Sequence, residues 1–497
     1  MERGIAVQIE KVAAQLRHFV SARQAGGTGS VEEPQQGPIG GQGTLSSHTL
    51  SDKEGASSVV GRRLCHVERG YWKFNQASPI NVTVSARIKG PLPETALREA
   101  LSALQARHPY LRAGIEVDAS GQPSFRFSSV GPIPLRVVHR SQDDWVHELE
   151  RELNDRFRCG EGPLTRCVLL RHGHDDMTVI LTVQHTICDG EGMRYAMRDL
   201  LEAAGRAALG LSPDLLPLTD TLSVEERLPG RLWSMHGLRL MTEFLFEEVR
   251  LFAKHGAPFK VPRDRDVPVH ARQFRCTHKG LDETQTAKLL LRAKEERTTV
   301  HGALSSAMIL GALHDSDVMR SVRVALVSPV NLRASLVPPV GHDTGYYVSL
   351  IPYRAAVHPD VSFWDLARSV RDQMASGLSR GDAPMMMDLL DGIFHLLQGP
   401  SAKPLEIAER WEKAVAGSML LSNLGRQDFE FDSGPLSVDA LYVCSSLSCF
   451  GDFGAVAHTF RDRLIWTFVW ADPLIGPQRA ERLTSAIINR LEQALSD

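Results

Sequence analysis

Hydrophobic positions in this chain repeat with two periods that succeed one another from residue 80 onward. INVTVSARIKG, from Ile80, alternates β-branched and polar residues and predicts a strand. PLPETALREALSALQARH, from Pro91, has the helical period, with proline at its start and Pro109 just past its end. QDDWVHELERELNDRF, from Gln142, predicts a second amphipathic helix. PLTRCVLLRHGHDDMTVILTVQH, from Pro163, predicts a hairpin of two apolar strands around a polar turn. A helix then opens at the glycine of DGEGMRYAMRDLLEAA. Residues 211–275 are rich in proline and charge around one helical stretch, GLRLMTEFLFEEVRLF, and read as a crossover between two halves.

The second half repeats the mixed pattern. LDETQTAKLLLRAKEERTTVHGALSSAMILGAL predicts two helices, SVRVALVSPVNLR and GYYVSLIPY strands, and VSFWDLARSVRDQMASGL a helix, with helical pattern continuing to about Val415. GSMLLSNLG, LSVDALYV, AVAHTF and DRLIWTFVW predict strands, and IGPQRAERLTSAIINRLEQAL a closing helix. No short tandem repeat is present; the pattern is two α+β halves, each with a mostly buried sheet. Ahead of them, Met1 to about Arg23 reads as one amphipathic helix, with Ile5, Ile9, Val12, Leu16, Phe19 and Val20 on its apolar face. Residues 24–58, rich in Gly, Ser, Gln and Pro, read as a flexible linker. The organisation expected is a helix plus linker over 1–58, an N-terminal lobe over 59–210, a crossover over 211–275 and a C-terminal lobe over 276–497.

Composition narrows the function classes. A length of 497 residues implies two or three folding units, and 43% apolar with 23% charged residues is ordinary for a globular protein. A formal net charge of −3 does not point to nucleic acid or a basic membrane surface. No run of 18 apolar residues occurs, and the N-terminus lacks a signal-peptide core, so a cytoplasmic protein is expected. Seven scattered cysteines, none in a C-x-x-C pair, fit a reducing compartment and neither a disulfide framework nor a metal site.

The chemistry concentrates in His185-Thr186-Ile187-Cys188-Asp189-Gly190, where the apolar strand gives way to a helix. Strand ends opening onto helix starts are common addresses for active sites. A histidine there titrates near neutrality and serves as a general base toward a hydroxyl or amine. Gly190 is expected to let the backbone turn sharply and a substrate come close. Asp189 has two readings: it orients the imidazole, or it pairs with a distant arginine and fixes the loop. Cys188 reads as a small buried residue, with no local feature that would depress its thiol pKa. GLSRG around Ser379 follows a helix, unlike a nucleophile elbow, which needs a strand before it. His172 and His174 sit in a hairpin turn and read as solvated rather than metal-binding.

HTICDG resembles the HxxxDG motif of the acyltransferase superfamily that depends on CoA or carrier proteins. That superfamily includes nonribosomal peptide condensation domains, chloramphenicol acetyltransferase, alcohol acetyltransferases, wax ester synthases, plant BAHD enzymes and mycobacterial polyketide-associated acyltransferases. The resemblance spans residues 60–497 and is nearest in feel to the alcohol acetyltransferases and polyketide-associated enzymes. NDRFRCGEGPLTRCVLL precedes the motif strand as in that family; TTVHGALSSAMILGAL, SPVNLRASLVPPVG and LLSNLG follow in the family's order. Many members carry two adjacent histidines, whereas Gln184 precedes His185 here; Asp452-Phe453-Gly454 matches the plant signature in letters only. The resemblance implies an α+β fold of two chloramphenicol acetyltransferase-like lobes in a V-shaped pseudodimer with a tunnel between them. It implies that His185 is the base, that Asp189 pairs with Arg333, that Gly190 lines the tunnel, and that Ser422 or Asn423 meets the oxyanion. The activity implied is acyl transfer from acyl-CoA or a phosphopantetheinyl acyl carrier, as co-substrate, to a small-molecule alcohol or amine. No bound cofactor, metal, nucleic acid or transmembrane segment is expected. Two alternatives stand beside it: a silent condensation-like protein that binds an acyl carrier, and a membrane-associated wax-ester or diacylglycerol synthase.

Overall fold

The computed structural model describes residues 61–496 apart from 128–129, 159, 161, 220, 229–234, 398–402, 415–418 and 428–433. The expected N-terminal helix and linker lie outside the described residues, as does Cys159.

The first sheet is organised around β1 (Asn81–Lys89) and β6 (Asp176–Gln184). Both read as near-continuous buried runs because the sheet is covered on both faces. On one face Val82, Val84, Ala86 and Ile88 join a core with α2 (Glu94–Arg107) and α4 (Gly190–Ala208). On the other face Asn81, Thr83 and Ser85 of β1 are polar but buried, and Asn81 is put to use. The Asn81 amide donates to the Glu152 and Asp155 carbonyls at 2.9 Å, satisfying the C-terminal end of α3 (Trp145–Asn154). The Asn154 side chain then bonds both backbone groups of Phe274, at 2.7 and 2.8 Å. Phe274 belongs to β7 (Gln273–Leu281), the edge of the second sheet, so α3 ties the two halves together.

The remaining strands of the first sheet are β4 (Leu135–His139), β5 (Thr165–Arg171) and β11 (Ser437–Ser445), in the order β11-β1-β6-β5-β4. β11 comes from the far end of the sequence and pairs antiparallel with β1 along its whole length. The second sheet holds β8 (Val322–Asn331), β9 (Val348–Val357), β10 (Met419–Gln427), β12 (Phe453–Phe460) and β13 (Arg463–Asp472), in the order β7-β13-β12-β10-β8-β9. Its core includes Leu304, Met308, Ile487 and Leu491 on the helices Val300–Asp315 and Pro477–Ser496. The first of those helices is apolar all round, and residues 302–313 are accordingly buried throughout.

Among the described residues the elements predicted above are observed, and others join them: α1 (His66–Ala77), a small hairpin of β2 (Gly114–Val117) and β3 (Pro123–Arg126), β4, β7 and the short helix Val224–Arg227. Gly70 breaks the helical signal of α1. A Cβ there would lie 2.7 Å from the Phe394 ring, so the glycine is the seat of a tertiary contact rather than a helix stop.

Three histidines held below their ordinary pKa, His458 buried and His278 and His301 half-buried, make stability depend on pH. Burial pulls His278 down to about 3, with His458 adding to it, and pulls His301 and His458 each to about 4. The unfolded chain titrates its histidines near 6.5, so between about pH 6.5 and 4 it binds more protons than the folded protein and stability falls as pH falls. Urea midpoints are expected to drop from pH 7 to pH 5 for the native chain, and less steeply for His458→Gln. Equal slopes would show that these histidines stay satisfied when charged.

Candidate functional site

The central strand β6 delivers His185 to the end of the sheet, and five residues later α4 begins. The intervening loop is closed from within. His185 N–H donates to the Ile80 carbonyl at 2.9 Å, and the side-chain oxygen of Gln184 accepts from Thr186 N–H at 2.8 Å. The His185 ring sits 3.0 Å, through Nδ1, from the Cys188 carbonyl. A carbonyl only accepts, so Nδ1 carries the proton and Nε2 keeps its lone pair. Burial, the largest influence, holds this imidazole below the ordinary value; the Asp189 charge and the Cys188 carbonyl pull it only partly back. The ring is therefore neutral at pH 7.

Asp189 does not touch that ring. Its carboxylate is buried and saturated: Gly192 N–H at 2.8 Å, Tyr347 N–H at 2.9 Å, and both terminal nitrogens of Arg333 at 2.8 and 3.0 Å. One residue thus caps α4, holds the loop before β9 and pairs with an arginine 144 positions away. Of the two readings open from the sequence, the observed geometry is that of loop fixation. Arg333 also lies over the Tyr347 ring, 5.0 Å from its centroid.

Gly190 departs from one expectation. Its backbone is not in the left-handed region, and an added Cβ would meet Leu424 at an ordinary 3.5 Å, so the turn does not require glycine. The demanding position is Gly192, which the sequence reading passed over. A Cβ there would lie 2.7 Å from the Cys188 sulfur and 3.0 Å from an Arg333 nitrogen. Gly192→Ala is expected to lower the melting temperature, while Gly190→Ala leaves it near native. The reverse order in thermal melts would refute this assignment.

His185, Asp189, Gly190, Ser422 and Asn423 all line one cavity of about 640 Å³, a size that suits a small-molecule site. Its walls come from both sheets: Val82 and Val443 from the first, Leu420, Val456 and Val469 from the second. Arg194, Tyr195, Arg198 and His342 give it a polar side, and Arg198 lies 3.3 Å from the His342 ring. Arg333 stands behind Asp189 and is absent from the lining. The Asn423 side-chain oxygen is already occupied by Gly425 N–H at 3.0 Å.

The other singled-out residues lie apart. Cys188 is fully buried, its thiol pushed up by burial and donating to the Asp189 carbonyl at 3.4 Å. Ser379 is exposed near the end of the helix Phe363–Arg380 and donates to the Ser376 carbonyl. His172 bonds the Thr178 hydroxyl at 2.9 Å, and His174 sits in the exposed turn against Asp175. Asp452 forms a forked pair with Arg263 at 2.7 and 2.9 Å, whereas Gly454 lines the cavity. Two tyrosines at the cavity, Tyr71 and Tyr346, were not foreseen; they come from α1 and the loop before β9, and no local motif marks them. No helix among the described residues is long and apolar enough to cross a membrane.

Residues 270–428 match the family model of the phthiocerol/phthiodiolone dimycocerosyl transferase C-terminus. The chain is 28% identical over 339 residues to phosphinothricin tripeptide synthetase PhsC of Streptomyces viridochromogenes, a match covering 65% of this chain and 30% of that protein. It is 27% identical to the probable non-canonical nonribosomal peptide synthetase CymA of Salinispora arenicola, covering 61% of this chain and 4% of that one. This chain therefore corresponds to a minor part of each synthetase. Among solved structures, polyketide synthase associated protein 5 from Mycobacterium tuberculosis superposes with a TM-score of 0.61 at 18% identity, covering 88% of this chain and 98% of the other. The first condensation domain of the CDA synthetase superposes with a TM-score of 0.63 at 16% identity, covering 89% and 97%. The fold is the two-lobed α+β pseudodimer expected from the sequence.

Proposed function

We propose, from the premise that this chain belongs to the condensation-domain and chloramphenicol acetyltransferase-like superfamily, that it transfers an acyl group from a CoA or carrier-protein thioester to a hydroxyl or amine. Secondary metabolite or lipid biosynthesis is the context that fits such a reaction. The observation that carries the reading is His185: Nδ1–H committed to the Cys188 carbonyl, the ring neutral, and the residue lining a cavity walled by both sheets.

In this mechanism the acceptor and thioester occupy the cavity together, so no acyl-enzyme is needed. Nε2 takes the acceptor proton as its oxygen or nitrogen attacks the thioester carbon. The tetrahedral intermediate collapses, the C–S bond breaks, and the thiolate recovers the proton from the imidazolium. Cys188 is the nearest thiol to the base in sequence, but its burial and raised pKa disfavour a covalent role.

The test is intact mass spectrometry of candidate acceptors after incubation with a panel of acyl-CoAs and acyl-loaded carrier proteins. Acceptors heavier by one acyl group are expected, with sequential kinetics. Enzyme mixed with donor alone is expected to carry no adduct on Cys188, and Cys188→Ala is expected to stay active. A modified Cys188 with ping-pong kinetics would overturn direct transfer. Binding of acyl-carriers without turnover of any acceptor would favour the silent condensation-like alternative.

A further inference from the structure

Tyr71 and Tyr346 are both buried, at 6% and 3% exposure, and both line the cavity. Their hydroxyl oxygens are 2.9 Å apart. The Tyr71 ring stands edge-on to the His185 imidazole at 5.1 Å between centroids, and the Tyr346 ring lies 5.6 Å from it. Phe450 packs against Tyr71 at 5.2 Å and shields the pair.

Two phenols bring two O–H donors. Their mutual contact uses one of them, whichever way it points. Among the described residues no other hydrogen bond is made by either hydroxyl. One proton is therefore left over, in a cavity walled largely by apolar side chains, beside the base. Burial raises both phenols above the usual range, so neither ionises at neutral pH and the leftover proton stays in place. A phenol that accepts from a second phenol is a stronger donor than one alone, because linked hydrogen bonds polarise one another.

We infer that the Tyr71–Tyr346 hydroxyl pair supplies a hydrogen bond to the oxygen that becomes negative during acyl transfer. This rests on the function proposed above. When the acceptor attacks, the carbonyl π electrons move onto oxygen, and the pair donates a hydrogen bond to that oxyanion without giving up its proton. When the carbonyl re-forms and the C–S bond breaks, the pair returns to its starting state. A donor already in place and shielded from water requires no reorganisation at that moment. The tyrosines stand beside His185 with a donor unspent, in addition to the Asn423 amide proposed from sequence.

The test compares Tyr71→Phe, Tyr346→Phe and the double variant with the native chain. Loss of both hydroxyls is expected to cut kcat by about 10²–10³-fold, and each single variant, which keeps one O–H but loses its polarising partner, by less. KM and the acid limb of the pH–rate profile should be nearly unchanged. The double variant should be the slowest of the three. A purely structural role would instead lower the melting temperature and raise KM. A second readout is independent of turnover: the infrared carbonyl stretch of an acyl-pantetheine analogue, 13C-labelled at the carbonyl, with sulfur replaced by methylene. In the native protein the band should lie at lower frequency than in either Tyr→Phe variant. Equal band positions, unchanged kcat, or a native protein that does not bind the analogue would overturn the inference. A shifted band without transfer to any acceptor would leave the pair standing and reject the proposed function.

Discussion

His185→Ala is expected to lower acyl transfer by about 10²–10⁴-fold, the usual contribution of a general base. The fold should survive. Among the described residues the imidazole makes a single hydrogen bond, to the Cys188 carbonyl, whereas the loop is held by the Asp189 network and by His185 N–H on Ile80. The native pH–rate profile should show the same residue at work. Because burial holds the ring below its ordinary value, the rate should rise with pH along a limb lying below about 6.5 and be flat by neutrality. That limb should be absent from His185→Ala. Near-native turnover in a folded His185→Ala protein would remove the base from the mechanism.

The second large effect is on stability. Arg333→Ala leaves the Asp189 carboxylate, 1% exposed, without its bidentate partner, and breaking one side of a buried pair costs about 3–5 kcal/mol. Denaturant unfolding should report that loss, and activity should fall with it as the Asp189–Gly192 cap loosens. Asp189→Asn strands the guanidinium instead and should be similarly costly. The double variant Asp189→Asn/Arg333→Ala should be less destabilised than the two losses added, because neither charge is then left alone. Suppose Asp189→Asn keeps its native unfolding midpoint and shifts only the pH–rate profile. Asp189 would then act on the imidazole across space, and the loop-fixing role would fail.

The two positions differ in how far the sequence revealed them. His185 was legible because its signal is local: an apolar strand, a polar hexapeptide and a helix start follow one another in order. The Asp189–Arg333 pair was reached only through family resemblance, because no periodicity joins residues 144 positions apart. Gly190 was assigned a sharp turn, yet the crowded glycine is Gly192, crowded by the Cys188 sulfur and by Arg333. Crowding from a distant side chain has no trace in local pattern.

The same division runs through the fold. Period-2 and period-3.6 patterns determined most strands and helices, since each reflects which side of a short segment is buried. The motif's place at a strand–helix junction followed from them. Tertiary structure alone decided that β11 leaves its own half to pair with β1, that α1 carries a glycine to receive Phe394, and that Tyr71 and Tyr346 meet beside His185. Those outcomes depend on which distant surfaces come into contact. The chain encodes such contacts in the shape and hydrogen-bonding capacity of residues far apart, and they acquire meaning only once both sheets have formed.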